Sequence, residues 1–196
     1  MGDILERILD QRRADVALAR VSEEACNSVL SARITSQYPS SPLDLYAIVA
    51  GCSGQCIAAE FKRASPSKGP IAAPDISLAV HAQAYIAGGA SIISVLTEPT
   101  WFKGSLDDME TVRRLADAHA AQHGGRRPAV LRKDFIVDAY QLAEARAWGA
   151  DTALLIVAAL KQEDLAPLIA AARGLGMEPL VEVCRCAEAE LLNGRE

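Results

Sequence analysis

The chain has 196 residues, of which 51% are hydrophobic, and this length and composition suit one domain with a sizeable core. The formal net charge of −5 argues against a general nucleic-acid or anionic-membrane binder, because both need a basic face. No apolar run approaches the roughly 20 residues of a membrane span, and the N-terminus lacks the apolar core of a secretory signal. A cytoplasmic location is therefore the expectation.

The first part of the chain carries a helical pattern and no strand that could pair. Ile4, Leu5, Ile8 and Leu9 recur at helical spacing, and residues 36–44, SQYPSSPLD, predict a loop. We interpret residues 1–55 as an N-terminal helical extension that lies against a sheet.

The remainder, residues 56–196, alternates short apolar segments with helical patterns. Glycines end the helical stretches in AGGASIISVL, AWGADTALLIV and GLGMEPLVEV, as expected for the position just past a helix. The predicted strands are 56–61, 91–96, 128–132, 152–157 and 178–183, and the predicted helices are 75–87, 105–119, 138–148 and 162–173. Strands that alternate with helices predict βαβ units and a parallel sheet.

Four charged residues stand at the carboxyl ends of predicted strands. Glu60 and Lys62 stand at the end of the first strand, Lys133 at the end of the third and Glu182 at the end of the fifth. Any one of these residues, taken singly, is explained as an ordinary solvent-exposed charge at the rim of the sheet. Parallel α/β folds place their active sites at this edge, however, and a converging set of carboxylates and amines suits proton transfer.

The first strand is followed by ASPSKG, in which Pro66 restricts Ser65 to an extended conformation. A stiff turn that presents hydroxyl and backbone groups is expected at the rim.

The cysteines predict no metal site. Their spacings differ from the C-x-x-C pattern of zinc motifs, and free thiols in a reducing compartment are the simpler interpretation for Cys26, Cys52, Cys56, Cys184 and Cys186.

Four long segments resemble one known family. IAAEFKRASPSKGPI, SIISVLTEPTWFKGSLDDM, PAVLRKDFIVDAYQLAEARAWGADTALLIV and LGMEPLVEV resemble, in order and spacing, the indole-3-glycerol phosphate synthase family over roughly residues 3–190. The resemblance implies a (β/α)₈ TIM barrel with an N-terminal helical extension. It also implies closure of the pyrrole ring of 1-(2-carboxyphenylamino)-1-deoxyribulose 5-phosphate in tryptophan biosynthesis, with loss of carbon dioxide and water and without cofactor or metal.

The resemblance also implies residue roles. Lys133 matches the general acid and Glu182 the general base, while Glu60 matches a carboxylate that assists loss of the hydroxyl. Lys62 matches a lysine that holds anionic groups of the substrate and serves as a second acid, so these four residues are the implied catalytic set. The implied substrate-binding residues are Ser65, Pro66, Phe102, Leu131 and Phe135.

Two features depart from the family pattern. Cys184 stands where the family usually has histidine, and the pattern accommodates about five βα units, whereas such a barrel has eight. We therefore expect an incomplete chain, such as a fragment, a truncated gene model or part of a split or fused protein with other tryptophan-pathway domains. We expect little activity from it alone.

Two alternatives stay open at this point. A catalytically silent partial barrel could serve as an interaction module, although the intact set of four charged residues disfavours it. Another ribulose-phosphate-binding barrel, such as phosphoribosylanthranilate isomerase, is disfavoured by the segment EFKRASPSKG.

Overall fold

A computed structural model describes residues 4–20, 23–71 and 76–184. The helices are α1 Ile4–Ala19, α2 Glu23–Gln37, α3 Leu45–Ala50, α4 Leu78–Ala87, α5 Leu106–His123, α6 Ala139–Ala147 and α7 Gln162–Gly174. The strands are β1 Ala58–Phe61, β2 Ala64–Ser65, β3 Gly69–Pro70, β4 Ile92–Leu96, β5 Ala129–Lys133, β6 Thr152–Ile156 and β7 Leu180–Glu182. A short 3₁₀ helix, Val157–Ala159, follows β6.

The main sheet has five strands in the order β1-β4-β5-β6-β7, and each neighbouring pair is parallel. The predicted α/β class and parallel sheet are confirmed. All five predicted strands are present, and each boundary lies within two residues of the prediction. β5 is the central strand, so its carboxyl end lies between those of the other four.

Helices α4, α5 and α6 begin just after residues whose side chains cap them. Ser105 accepts a hydrogen bond from the backbone N–H of Asp108, and Asp138 forms a capping box with Gln141. The helix predicted at 75–87 begins at Leu78, after its N-cap Ser77.

Successive strand residues face two different cores. One core joins the sheet to α4–α7 through residues such as Val95, Val130 and Leu155. The opposite face, called the inner face below, contributes Ile92, Ala129, Leu131, Leu154 and Ile156, which cluster with Leu9, Leu45 and Ile48 of the N-terminal helices. This alternation follows from the two-residue period of a strand.

The three N-terminal helices extend between the two ends of the sheet. At the carboxyl end, Arg12 of α1 forms an ion pair with Asp134 just after β5. In α2, Arg33 donates to the carbonyl of Ala147 at 2.9 Å and lies 4.3 Å from the Trp148 ring. After α3, Cys52 Sγ lies 3.7 Å from Ser91 Oγ, just before β4. A helical pattern was predicted here, but α2 and α3 were not predicted individually.

Among the described residues, no helix is both long and apolar enough to cross a membrane.

Candidate active site

The four charged residues predicted at strand ends form two ion pairs. Lys133 Nζ lies 3.2 Å from Glu182 Oε2, and Lys62 Nζ lies 3.1 Å from Glu60 Oε1. Lys133 ends the central strand β5, whereas Glu60 and Glu182 lie on β1 and β7, each two strands away. The Lys133–Glu182 pair therefore joins two strands that are not neighbours in the sheet.

These charges are only partly withdrawn from solvent. The exposed fractions of the side chains are 29% for Lys133, 37% for Glu182, 35% for Lys62 and 32% for Glu60. Ion pairs with this exposure contribute little to stability. They do place ammonium donors beside carboxylate acceptors where a ligand can reach both.

Ser94 supports Glu60 and was not among the predicted site residues. Its hydroxyl donates to Glu60 Oε2 at 3.1 Å, so Glu60 has a partner for each oxygen. Ser94 is the cross-strand partner of Glu60 on β4 and is buried. The sequence feature that could have identified Ser94 as a site residue is its hydroxyl within the otherwise apolar strand IISVL, on the same face as Glu60.

Glu98, also not predicted, organises the loop after β4. Its fully buried carboxylate accepts hydrogen bonds from the backbone N–H groups of Thr100, Trp101 and Phe102, at 2.7, 2.7 and 2.9 Å. Charge-assisted bonds of this kind fix a loop that has no regular structure of its own. They hold the backbone of Phe102 in place.

The predicted apolar contacts lie close to the Lys133 strand. The rings of Phe102 and Phe135 are tilted by 41°, with centroids 6.0 Å apart. Leu131 is buried on the inner face, two residues before Lys133 on the same strand. The strand that ends in Lys133 is therefore flanked by an aromatic pair and an aliphatic side chain.

The turn after β1 is a small hairpin of strands β2 and β3. Ser65 accepts a long hydrogen bond of 3.3 Å from the backbone of Lys68, and Pro66 is exposed. Both residues line a cavity of about 400 Å³ together with Trp101 and Lys103 from the loop after β4. The predicted turn thus faces the loop that carries Phe102.

Arg63 connects this hairpin to α5. Its guanidinium pairs in a fork with Asp108, with one bond of 2.8 Å, and also donates to the carbonyl of Lys103 at 3.3 Å. The hydrogen bond to Asp108 raises the pKa of Arg63 above its usual value, so the guanidinium stays charged.

The cysteines give no sign of a metal centre in the part of the chain that the structure describes. Cys52 and Cys56 are free thiols, and no three metal-ligating side chains cluster there. Cys184 Sγ lies 3.8 Å from Glu182 Oε1, the oxygen that Lys133 does not use. Cys186 lies outside the described residues, and the side chain of Cys26 is likewise not described.

Known proteins match nearly the whole chain. A multifunctional tryptophan biosynthesis protein of Phanerodontia chrysosporium is 48% identical over 192 residues, which are 96% of this chain and 23% of that protein. Indole-3-glycerol phosphate synthases of Mycobacteroides abscessus and Streptomyces griseus are 45% and 48% identical over 190 and 189 residues, 96% and 95% of this chain. The chain spans 64% of the length of each of these two synthases.

The family match decides between the two barrel families considered from the sequence. The indole-3-glycerol phosphate synthase family matches residues 5–192, so the alternative of phosphoribosylanthranilate isomerase is wrong. On this match and on identities near 45%, the chain belongs to the indole-3-glycerol phosphate synthase family of TIM-barrel enzymes.

Proposed function

We propose that this chain carries the acid–base residues of an indole-3-glycerol phosphate synthase. The reaction would close the pyrrole ring of 1-(2-carboxyphenylamino)-1-deoxyribulose 5-phosphate with loss of carbon dioxide and water. The observation that carries the proposal is the contact of 3.2 Å between Lys133 and Glu182 at the carboxyl end of the sheet. This contact supports the proposal because an ammonium and a carboxylate so close together could serve one bound molecule as proton donor and proton acceptor.

Lys133 acts first in this scheme. Attack by the aromatic carbon on the ketone is slow unless the carbonyl oxygen receives a proton, and the Lys133 ammonium donates that proton. The carboxyl group on the attacked ring then leaves as carbon dioxide. Glu182 accepts the ring-carbon proton in the later step, in which the new hydroxyl leaves as water.

The second ion pair assists at the other side of the substrate. Glu60, held by Ser94 at 3.1 Å, helps the hydroxyl to leave, and Lys62 binds an anionic group of the substrate. Phe102, Phe135 and Leu131 contact the anthranilate ring. Ser65 and Pro66 lie beside its carboxylate.

The proposal extends to the architecture. A TIM barrel has eight strands, so the five strands of the main sheet would form one side of a barrel that three further βα units complete. Residues 1–55 would be its N-terminal extension and residues 56–196 part of its barrel. Backbone amides at glycine turns of the further units would bind the phosphate. Other tryptophan-pathway domains are the proposed partners, in a cytoplasmic protein.

Turnover is the test of this proposal. The chain of 196 residues is assayed alone and as a joined barrel, in which the part of the Streptomyces griseus synthase that follows the matched segment is appended. The product indoleglycerol phosphate is followed by fluorescence. The chain alone should show little turnover and the joined barrel substantial turnover. A joined barrel that folds without turnover would support the silent module instead, and equal turnover by both proteins would refute the placement of the phosphate site.

A further inference from the structure

Arg12 belongs to the N-terminal helix α1, yet it reaches the carboxylate next to Lys133. Its Nη2 donates to Asp134 Oδ2 at 2.9 Å, across 122 residues of sequence, and its Nη1 donates to Asp15 at 2.9 Å. Arg12 is 7% exposed and Asp134 is 2% exposed. A buried pair of this kind is costly to break, because removal of one partner leaves the other charge without compensation.

Asp134 gathers four donors from different parts of the fold. Besides Arg12, its Oδ2 accepts from Arg132 Nη2 at 3.0 Å and from Thr97 Oγ1 at 2.6 Å. Its Oδ1 accepts from the backbone N–H of Phe135 at 2.8 Å. The carboxylate therefore fixes the backbone on the far side of Lys133 and ties it to β4 and to α1.

Carboxylates surround both guanidinium groups of the cluster. Arg132 also pairs with Glu144 at 2.8 Å, so Arg12 and Arg132 face the more buried carboxylates Asp134 and Glu144, and the part-exposed Asp15 is a third carboxylate beside Arg12. Burial alone would lower the pKa of Arg12, but Asp134 and Asp15 outweigh it and raise the pKa above its usual value. Arg12 is thus charged, and without it the buried cluster carries an excess negative charge that favours movement of Asp134 toward solvent.

We infer that Arg12 is a positioning residue for the segment Lys133–Phe135 and acts through the carboxylate of Asp134. The inference rests on the proposed function, in which Lys133 is the acid and Phe135 contacts the substrate ring. It makes α1 a support of the active site rather than a covering helix alone. Arg12 itself contacts neither Lys133 nor the proposed position of the reacting atoms.

The adjacent arginine provides a matched control. Arg13 pairs with Asp10 at 3.0 Å, but these side chains are 53% and 77% exposed. Arg12→Met and Arg13→Met remove the same group from neighbouring positions of one helix. Only the first change affects the Asp134 cluster.

Amide exchange in the full 196-residue chain is the first measurement. We expect exchange of the Phe135 amide to become about tenfold faster or more in Arg12→Met, while the Leu155 amide of β6 changes by less than about threefold. Arg13→Met should change neither amide. A merely structural role of Arg12 would instead accelerate both amides together, and that outcome would overturn the inference.

The side chain of Lys133 supplies the second measurement. The chain has five lysines, Lys62, Lys68, Lys103, Lys133 and Lys161. After ¹³C-dimethylation their signals can be assigned by Lys→Arg variants. We expect the signal of Lys133 to move toward that of exposed Lys161 in Arg12→Met and to stay in place in Arg13→Met. An unmoved Lys133 signal in folded Arg12→Met would contradict the inference.

Two further arms keep the result unambiguous. If Arg12→Met does not fold, Arg12→Lys takes its place, since it keeps the positive charge but loses the two-pronged guanidinium group. It should show the same changes in the Phe135 amide and the Lys133 signal, at smaller amplitude. Unchanged signals in Arg12→Lys would contradict the inference. In the joined barrel, Arg12→Met should lower kcat about tenfold through Lys133 and also raise KM through Phe135, whereas Arg13→Met should change neither. A joined barrel without any turnover contradicts the proposed function, whereas the amide and lysine signals still decide the role of Arg12.

Discussion

The carboxyl end of β5 places two kinds of polar residue side by side. Arg132 and Asp134 are 1% and 2% exposed, and each has several hydrogen-bond partners. Lys133 lies between them, is 29% exposed and forms an ion pair with Glu182. The strand's alternation thus separates two buried residues that hold the structure from one residue that solvent reaches.

The difference has an energetic meaning. A buried, saturated charge cluster fixes geometry and is costly to break, whereas a half-exposed ion pair contributes little to stability. In the proposed mechanism, Lys133 exchanges its carboxylate partner for the substrate at small cost, because its neighbours on the strand stay fixed.

The largest effect is expected on the buried side. Asp134→Asn removes the charge that compensates Arg12 and Arg132, so the free energy of unfolding should fall by about 3–5 kcal/mol. Urea unfolding of the full chain measures this. Asp10→Asn, which removes the exposed partner of Arg13, should change stability by less than about 0.5 kcal/mol. Equal effects of the two variants would contradict the assignment of Asp134 as a structural centre.

Glu182→Gln tests the exposed side. Loss of the proposed base should lower turnover of the joined barrel about 10²-fold, which corresponds to about 2.7 kcal/mol in the activation barrier. Stability should hardly change. Glu178→Gln is the matched control, since Glu178 lies near the start of the same strand and pairs with Arg173. Normal turnover in Glu182→Gln would remove Glu182 from the role of base.

Gly104→Ala tests whether the loop that carries Phe102 is held in place against β4. A Cβ at this position would lie 2.0 Å from the carbonyl oxygen of Leu96, so the loop must shift away from β4. Overpacking of this kind should cost about 1–3 kcal/mol and should raise KM through displacement of Phe102. Gly54→Ala, where a Cβ meets nothing within 4 Å, is the control. A Gly104→Ala protein with unchanged stability would show that the loop is not fixed.

The smallest expected effect is on stability in alkaline solution and concerns Tyr38, which lies away from the candidate active site. Burial, and secondly the hydrogen bond to Glu110, raise its pKa above the usual value of 10.0. The neutral hydroxyl of Tyr38 therefore contributes to the free energy of unfolding in full below pH 10. This contribution is lost as the pH rises through the pKa of Tyr38 in the folded state. Unfolding at about pH 8 and about pH 10.5 should show a smaller loss in Tyr38→Phe than in the parent chain. An equal loss in both would contradict the raised pKa.

Much of the sheet was predictable because its signals are local. Glycine at a helix end, a short apolar strand and a capping residue recur within a dozen positions, and these patterns located the strands to within two residues. The charged strand ends were predictable for the same reason, since a strand's period places Glu60 and Lys62 on one face, where the structure pairs them.

The buried carboxylates could not be predicted, because their burial depends on distant partners. Asp134 is paired with a residue 122 positions away, and Glu98 is buried by the folding back of its own loop. Helix α2 was not predicted individually because contacts with α6, through residues such as Arg33, define its packing. The hairpin of β2 and β3 has only two residues in each strand, which is too short for a strand pattern.

Lys133→Met in the joined barrel is the most direct test of whether Lys133 is the accessible acid on a fixed strand. Turnover and urea unfolding are measured on the same preparation. We predict a loss of turnover of about 10² or more, together with a free energy of unfolding within about 1 kcal/mol of the parent. Lys161→Met, which removes an exposed lysine, should change neither quantity. Near-normal turnover in Lys133→Met, or a loss of several kcal/mol of stability that accounts for its inactivity, would contradict the assignment of Lys133 as the reachable acid on a fixed strand.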